Sequence, residues 1–267
     1  MELQGRVAQL KRQGLSVAGV SYDSVAVLDD FSRRRGITFP LLSDPGSRTI
    51  KQYGILNTTI PESNQQTYGI PFPGTFMLNA QGVVTSRYFE QAYQERTTVG
   101  SILARLGNNM QVAATKVSSP QLEVTSFVTE STVAPGTHFS IVLDIKPAKG
   151  VHVYAPGVIG YKPIALSVAA PPGLIIRDAQ YPPSEDYHFR PLNEHVQVYQ
   201  RPFRIVQDVT IDASPQAQTA LKDVTALSIE GTLSYQACND TVCFSLQSVP
   251  LTWSVTLRQL DRERAKP

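Results

Sequence analysis

"GTLSYQACNDTVCFSLQSVPLTWSV" (residues 231–255) holds the only two cysteines of the chain, Cys238 and Cys243, with Asn-Asp-Thr-Val between them. On either side, "SIEGTLSYQA" and "VPLTWSVTL" alternate apolar with polar residues, the pattern of strands with one buried face. Four intervening residues suit a hairpin whose cysteines face each other on adjacent strands, where opposed Cα atoms stand about 4.5–5.5 Å apart. Three readings are open: a structural staple, a pair of metal ligands, or a redox couple. Closing so small a loop gains only about 2 kcal/mol, against about 5 for a 100-residue loop, so a staple is weakly motivated. Structural zinc favours Cys-x2-Cys and needs four ligands, so two of His138, His152, His188 and His195 would have to converge. Each of those histidines lies in a strand or turn where an ordinary polar role suffices. No cofactor or metal is implied.

Working outward, "LEVTSFV", "HFSIVLDI", "VHVYA", "IALSVAA" and "FRIVQDVTI" are further alternating or β-branched runs, separated by "APG", "APPG" and "YPPS" turns. About seven such strands over roughly 140 residues predict an all-β, immunoglobulin-like sandwich over residues 121–258. Residues 107–120, "GNNMQVAATKVSSP", are polar and small, and read as a linker. Residues 259–267 form a charged tail.

Residues 1–106 follow a different grammar. Leu3, Val7 and Leu10 recur at helical spacing, with Gly14 closing the helix. "LSVAGVS" (15–21) reads as a strand buried on both faces. Asp23 or Ser24 caps a helix running to Gly36, "ITFPLLSD" (37–44) is a strand, and Asp44 opens a short helix ending near Gly54. "GTFMLN" and "VVTSRYF" flank Asn79-Ala80-Gln81-Gly82, a hairpin turn. A helix near 94–106 ends at Gly107. This alternation predicts an α/β unit.

The chain has 267 residues, 42 % hydrophobic and 17 % charged, with 24 basic and 22 acidic side chains. No basic stripe marks a nucleic-acid surface. Arg33-Arg34-Arg35 reads as the solvated end of a helix, cations at its negative pole. No run of about 18 apolar residues marks a membrane span. "MELQGRVAQLKRQG" lacks the apolar core of a signal peptide, which taken literally places the product in the cytoplasm.

The stretches "LSVAGVSYDS", "FSRRRGITFPLLSDPGSRTIKQYGI" and "GIPFPGTFMLNAQGVV" resemble the redoxin family, the thioredoxin-fold AhpC/TSA peroxiredoxin-like group. The resemblance implies that Pro73, Gly74 and Thr75 form the cis-proline region. It also implies a strand and a reactive cysteine just before the helix that begins at Met1, where the helix dipole stabilises a thiolate. The chain carries no cysteine before Cys238. Residues 1–106 therefore read as an incomplete redoxin domain that lacks its nucleophile. Without its central strand, either "LSVAGVS" and "GTFMLN" meet directly or one keeps an unpaired edge.

"GVHVYAPG", "YPPSEDYHF", "VYQRPFRIVQDVTI" and the opening segment resemble the N-terminal domain of the thiol:disulfide interchange protein DsbD. That resemblance implies electron exchange with a thioredoxin-fold partner outside the cytoplasm. Cys243 would form the mixed disulfide and Cys238 would resolve it. The cap loop would be Glu185-Asp186-Tyr187-His188-Phe189, with Tyr154 nearby and Glu185 or Asp186 handling a proton. The family's cysteines stand one residue further apart, and no cationic side chain flanks this pair in the sequence. Asp240 would disfavour a thiolate beside it.

The resulting expectation is a two-domain thiol–disulfide redox protein acting through Cys238–Cys243. The rival is a non-catalytic docking module with a structural disulfide and a degenerate redoxin domain. The chain's start is expected to be that of a truncated reading frame, with a strand, a cysteine and an export signal encoded upstream. Sequencing the 5′ end of the transcript is expected to show that extension; a stop codon immediately upstream of Met1 refutes it.

Overall fold

The computed structural model describes residues 2–64, 66–89, 96–107, 113–189 and 193–258. The expected tail, the start of the expected 94–106 helix and part of the expected linker lie outside them. The chain divides into two compact units, Met1–Val99 and Gly100–Pro267.

In the first unit, helix Glu2–Arg12 buries Val7 and Leu10, and Gly14 turns the chain at φ 75°. Ser24 caps helix Val25–Arg35 by accepting from the Val27 N–H at 3.4 Å, and Gly36 ends it in the left-handed region. Arg33 and Arg34 sit in its last turn and pair with Asp29 and Asp30 one turn back, at 3.0 and 2.7 Å. The buried Asp44 carboxylate accepts from the N–H groups of Thr49 and Ile50, at 3.1 and 2.9 Å, and so opens helix Arg48–Gln52. Those bonds, Ile50's foremost, hold its carboxyl below the usual range. Strands Gly74–Leu78 and Val84–Phe89 form the expected hairpin, with the Asn79 side chain accepting from Gln81 and Val83 in the turn.

Two expectations for this unit change, and one left open between two outcomes is decided. Within "LSVAGVS" the strand is only Gly19–Ser21, paired in parallel with Leu41–Ser43, and it is not buried on both faces: Val20 is 50 % and Leu42 52 % exposed. Among the described residues this parallel pair and the Gly74–Leu78 hairpin share no ladder, so the two strands expected to flank a central strand do not meet directly. The bond before Pro73 is trans, since the described residues contain no cis peptide. Trans is the form an X-Pro bond prefers by about 0.5–1 kcal/mol unless surrounding contacts select the other.

The second unit is a β-sandwich. One sheet runs in the order Leu174–Gln180, Phe203–Ile211, Thr137–Pro147, Leu122–Val128, Ala114–Ser118. The facing sheet runs Ala165–Val168, Ala226–Tyr235, Gln247–Leu257, Thr132–Val133. Phe139, Ile141, Leu143, Ile205 and Val209 from the first meet Ile229, Leu233, Leu251, Trp253 and Val255 from the second in one core. These are the inward positions of the alternating runs. The Trp253 indole N–H, buried there, donates to Ser126 Oγ at 2.6 Å, which satisfies both groups. Ala114–Ser118, inside the stretch read as linker, is an edge strand of the first sheet. Gly100–Arg105, the body of helix Val99–Arg105, covers the same sheet, burying Ala104 against Phe127 and Val142. Arg204 fastens it, gripping Asp144 with two nitrogens (2.6 and 2.8 Å) while donating to the Ala104 carbonyl at 2.9 Å.

A third, smaller sheet carries the site: Glu185–Phe189, Glu194–Tyr199, His152–Tyr154 and Ala237–Cys238. The last of these continues directly from Ala226–Tyr235, so one segment serves two sheets in succession. Gly231 is the tight point of that segment, because a Cβ there meets the Trp253 ring at 2.8 Å and the Ser167 carbonyl at 2.9 Å. Gly231→Ala is expected to destabilise the unit by about 1–3 kcal/mol, read from the urea midpoint of the intact chain.

Candidate functional site: a half-buried disulfide under a tyrosine cluster

Asn239 sets the geometry between the cysteines. Its side-chain oxygen accepts from the N–H groups of Thr241 (2.9 Å) and Val242 (2.7 Å), and its own N–H donates to the Val242 carbonyl at 2.9 Å. Asparagine favours this local turn because its carboxamide imitates a backbone acceptor. One step outward Cys238 and Cys243 face each other in an antiparallel bridge, and beyond them Phe244 N–H donates to the Ala237 carbonyl at 2.8 Å. The sulfurs are bonded, with Cα atoms 4.0 Å apart.

The two sulfurs have unequal surroundings. Cys238 is 1 % exposed and packs among Tyr154, Val196 and Val198. Cys243 is exposed, next to the exposed Val242. Attack on a disulfide needs a path to one sulfur and a stabilised leaving thiolate on the other. Cys243 offers the path. Cys238 is met by the Tyr154 hydroxyl, which donates to its Sγ at 3.3 Å and lies 3.6 Å from Cys243 Sγ. Burial first, then neighbouring Tyr161, Glu194 and Tyr187, pushes Tyr154 up to about 12, so the hydroxyl keeps its proton throughout the physiological range.

The cleft beside the disulfide, about 70 Å³, is lined by His152, Tyr154, Tyr161, Tyr187, Phe189 and Val196 along with the cysteine loop. Tyr161 stacks on Tyr154 with ring centroids 4.2 Å apart and donates to Glu194 at 2.6 Å. Tyr187 donates to Asp240 at 2.6 Å, which ties the Glu185–Phe189 strand to the turn between the cysteines. Burial, then that hydrogen bond, pushes Tyr187 up to about 12.

Of the sequence-derived candidates, the fold brings Tyr154, Tyr187 and Phe189 to the cysteines. It does not bring Glu185, Asp186 or His188 into the cleft. Glu185 pairs with Arg201 at 3.0 Å; Asp186 and His188 alternate onto the other face, where Asp186 meets His195 at 2.7 Å and His188 meets Asn193 at 3.0 Å. The alternation of strand side chains separates Asp186 and His188 from Tyr187 and Phe189, whereas Glu185 shares their parity and is drawn to Arg201. Pro73, Gly74 and Thr75 belong to the other unit. His152 and Tyr161 line the cleft but were not among those candidates. The alternation in "VHVYA" already set His152 on the same face as Tyr154, whereas nothing local marked Tyr161. Asp240, read as a repulsive neighbour of a thiolate, is engaged by Tyr187.

Residues 1–87 match the AhpC/TSA family model, and residues 120–249 match that of the thiol:disulfide interchange protein DsbD, N-terminal. Over 83 residues, 30 % of this chain, the sequence is 29 % identical to the bcp protein of Coxiella burnetii, named a peroxiredoxin; the chain spans about half (51 %) of that relative's length. Among solved structures, the N-terminal periplasmic domain of ScsB from Proteus mirabilis is 16 % identical at a TM-score of 0.37, covering 51 % of this chain and 49 % of that one. The N-terminal domain of Neisseria meningitidis DsbD, in the reduced form, is 11 % identical at a TM-score of 0.30, covering 44 % and 81 %.

Removing the hydroxyl with Tyr154→Phe is expected to slow reduction of the disulfide by dithiothreitol about three- to tenfold, since the leaving Cys238 thiolate loses a donor. Stopped-flow tryptophan fluorescence or thiol trapping of the intact chain reads this.

Proposed function

We propose, from the match of residues 1–87 to the AhpC/TSA family model and of residues 120–249 to the DsbD N-terminal one, that Cys238 and Cys243 exchange electrons with a thioredoxin-fold partner. The two domains together indicate a thiol–disulfide redox function, and within this chain the only sulfurs able to carry it are these two. The observation that carries the finer reading is the inequality of the pair: one cysteine exposed, the other buried under a hydroxyl donor.

In the proposed exchange a partner thiolate attacks Cys243 Sγ. The Cys243–Cys238 bond breaks, and its electron pair leaves on Cys238. A second partner thiol then attacks the mixed disulfide, releasing oxidised partner and leaving the dithiol here. In the reverse direction Cys243 attacks a partner disulfide and Cys238 resolves the complex. Tyr187 and Phe189 on the overlying strand restrict access to Cys238, which protects the released thiolate from adventitious oxidants.

A disulfide exchanger of this kind belongs in an oxidising compartment, so we place the chain outside the cytoplasm, in the periplasm. Among the described residues no helix is long and apolar enough to cross a membrane.

Cys238→Ser is expected to accumulate a covalent complex with oxidised thioredoxin, used as probe, on non-reducing gels, while Cys243→Ser gives none. The couple itself is expected to titrate between about −120 and −270 mV, the span of thioredoxin-like proteins; a value below about −300 mV marks an inert structural bridge and overturns the reading.

A further inference from the structure

We propose that His152 is the charge-compensating partner of Cys238: as exchange opens the disulfide and Cys238 departs as a thiolate, the His152 imidazole takes up a proton and holds that thiolate as an ion pair. The proposal rests on the reading of Cys238–Cys243 as a redox couple and adds the group that stabilises its buried member.

The chemistry creates a need that the local sequence does not meet. From Tyr235 to Leu246 the chain carries no Lys, Arg or His, and Asp240 adds a negative charge. A thiolate released at a site 1 % exposed loses its hydration, and burial of that kind disfavours the charged form. The fold supplies from a distant strand what the loop lacks. In the antiparallel ladder His152 stands directly opposite Cys238, and Val153 opposite Ala237. Directly opposed residues in such a ladder project to the same face of the sheet. Both side chains are buried, His152 at 3 % exposure, and both line the same cleft.

The imidazole is held in place. Tyr187 from the overlying strand lies against it at 4.4 Å between ring centroids, and Tyr154 on its own strand meets it edge-on at 5.5 Å. The charged group acting on it is Asp240, from the turn between the cysteines; Tyr161 and Glu194 stand behind Tyr154. Burial lowers the basicity of His152, and Asp240 acts in the opposite direction without reversing it. With the disulfide closed the ring is therefore neutral at physiological pH, and no unpaired charge is buried. Opening the bond places a full negative charge on the sulfur across the ladder, in surroundings of low polarisability, which raises the basicity of the facing imidazole.

The balance closes without another reagent. A partner thiol ionises and its sulfur bonds to Cys243 Sγ; the Cys238–Cys243 bond breaks and its electron pair stays on Cys238. The proton lost by the partner thiol is matched by the one gained at His152. In the reverse direction Cys238 attacks Cys243 Sγ, the partner sulfur leaves with the electron pair and takes up a proton, and the imidazolium releases one. The Tyr154 hydroxyl donates to the same sulfur but stays protonated throughout, so its contribution does not vary with pH in this range, whereas that of His152 does.

The test uses the intact chain with Cys243→Ser, in which Cys238 is the sole cysteine, so that the pH dependence of the cysteine 13Cβ NMR shift, with 13C-labelled cysteine, titrates it alone. Adding His152→Gln or His152→Phe is expected to raise the Cys238 pKa by about one unit or more. An unchanged value in both overturns the proposal. Should neither double variant fold, NMR titration of His152 in the unsubstituted chain decides: its pKa is expected to be higher after reduction with dithiothreitol than in the disulfide form, and an equal or lower value overturns the proposal. Neither readout involves a protein partner, so failure of partner exchange and failure of this ion pair are separately visible.

Discussion

The site depends on two residue pairs of one short ladder, His152 opposite Cys238 and Val153 opposite Ala237. Upstream, Ala226–Tyr235 is fixed in the sandwich by ten paired positions with Gln247–Leu257 and by Tyr235 sealed in the core. After Gln236 the chain leaves that sheet and joins a different one. The transfer places the Cys238 sulfur under Tyr154 and beside the strand that bears Tyr187 and Phe189. The large core thus acts as an anchor for a small, exposed piece of chemistry, the arrangement expected when function resides on loops carried by a rigid scaffold.

Much of this was legible in the sequence because the sandwich strands bury one face each. "LEVTSFV" and "FRIVQDVTI" are strands over their full quoted lengths, and the hairpin around the cysteines follows from the Asn-Asp-Thr-Val spacing. Where local pattern failed, a longer-range contact decided. The polar run "ATKVS" became the edge strand Ala114–Ser118 because it needs only one neighbour, Leu122–Val128, to satisfy its backbone. "LSVAGVS" shows the converse: an apolar run reads as fully buried, yet burial requires a covering layer, and Val20 has none. "EDYHF", expected as a cap loop, is instead the strand Glu185–Phe189, and the sequence did not show which face its side chains take. Tyr187 and Phe189 turn to the sulfurs, while Asp186 and His188 turn away, and which parity faces inward is fixed by the ladder with Glu194–Tyr199. His152 was weighed only as a metal ligand, because the register that sets it opposite Cys238 joins distant strands and is invisible to local spacing.

The polar groups around the disulfide are arranged so that little charge is buried while it is closed. Glu194 accepts from Tyr161, Asp240 from Tyr187, and the hydroxyl nearest the sulfurs belongs to a tyrosine whose proton is held tightly. Hydroxyl donors of this kind stabilise a nascent anion without carrying a charge of their own, which suits the proposed alternation between a neutral bond and an ionised thiol.

The turn at Asn239 has a consequence for how long any covalent complex survives. Its hydrogen bonds, together with that from Phe244 to Ala237, are backbone and carboxamide contacts in which the sulfur–sulfur bond takes no part. With that bond cleaved the turn can persist, keeping the second thiol poised within reach of the first at an effective concentration far above that of a free thiol in solution. In the proposed exchange ring closure would then outpace intermolecular rescue, and an asparagine side chain that never touches sulfur would set the lifetime of a trapped intermediate.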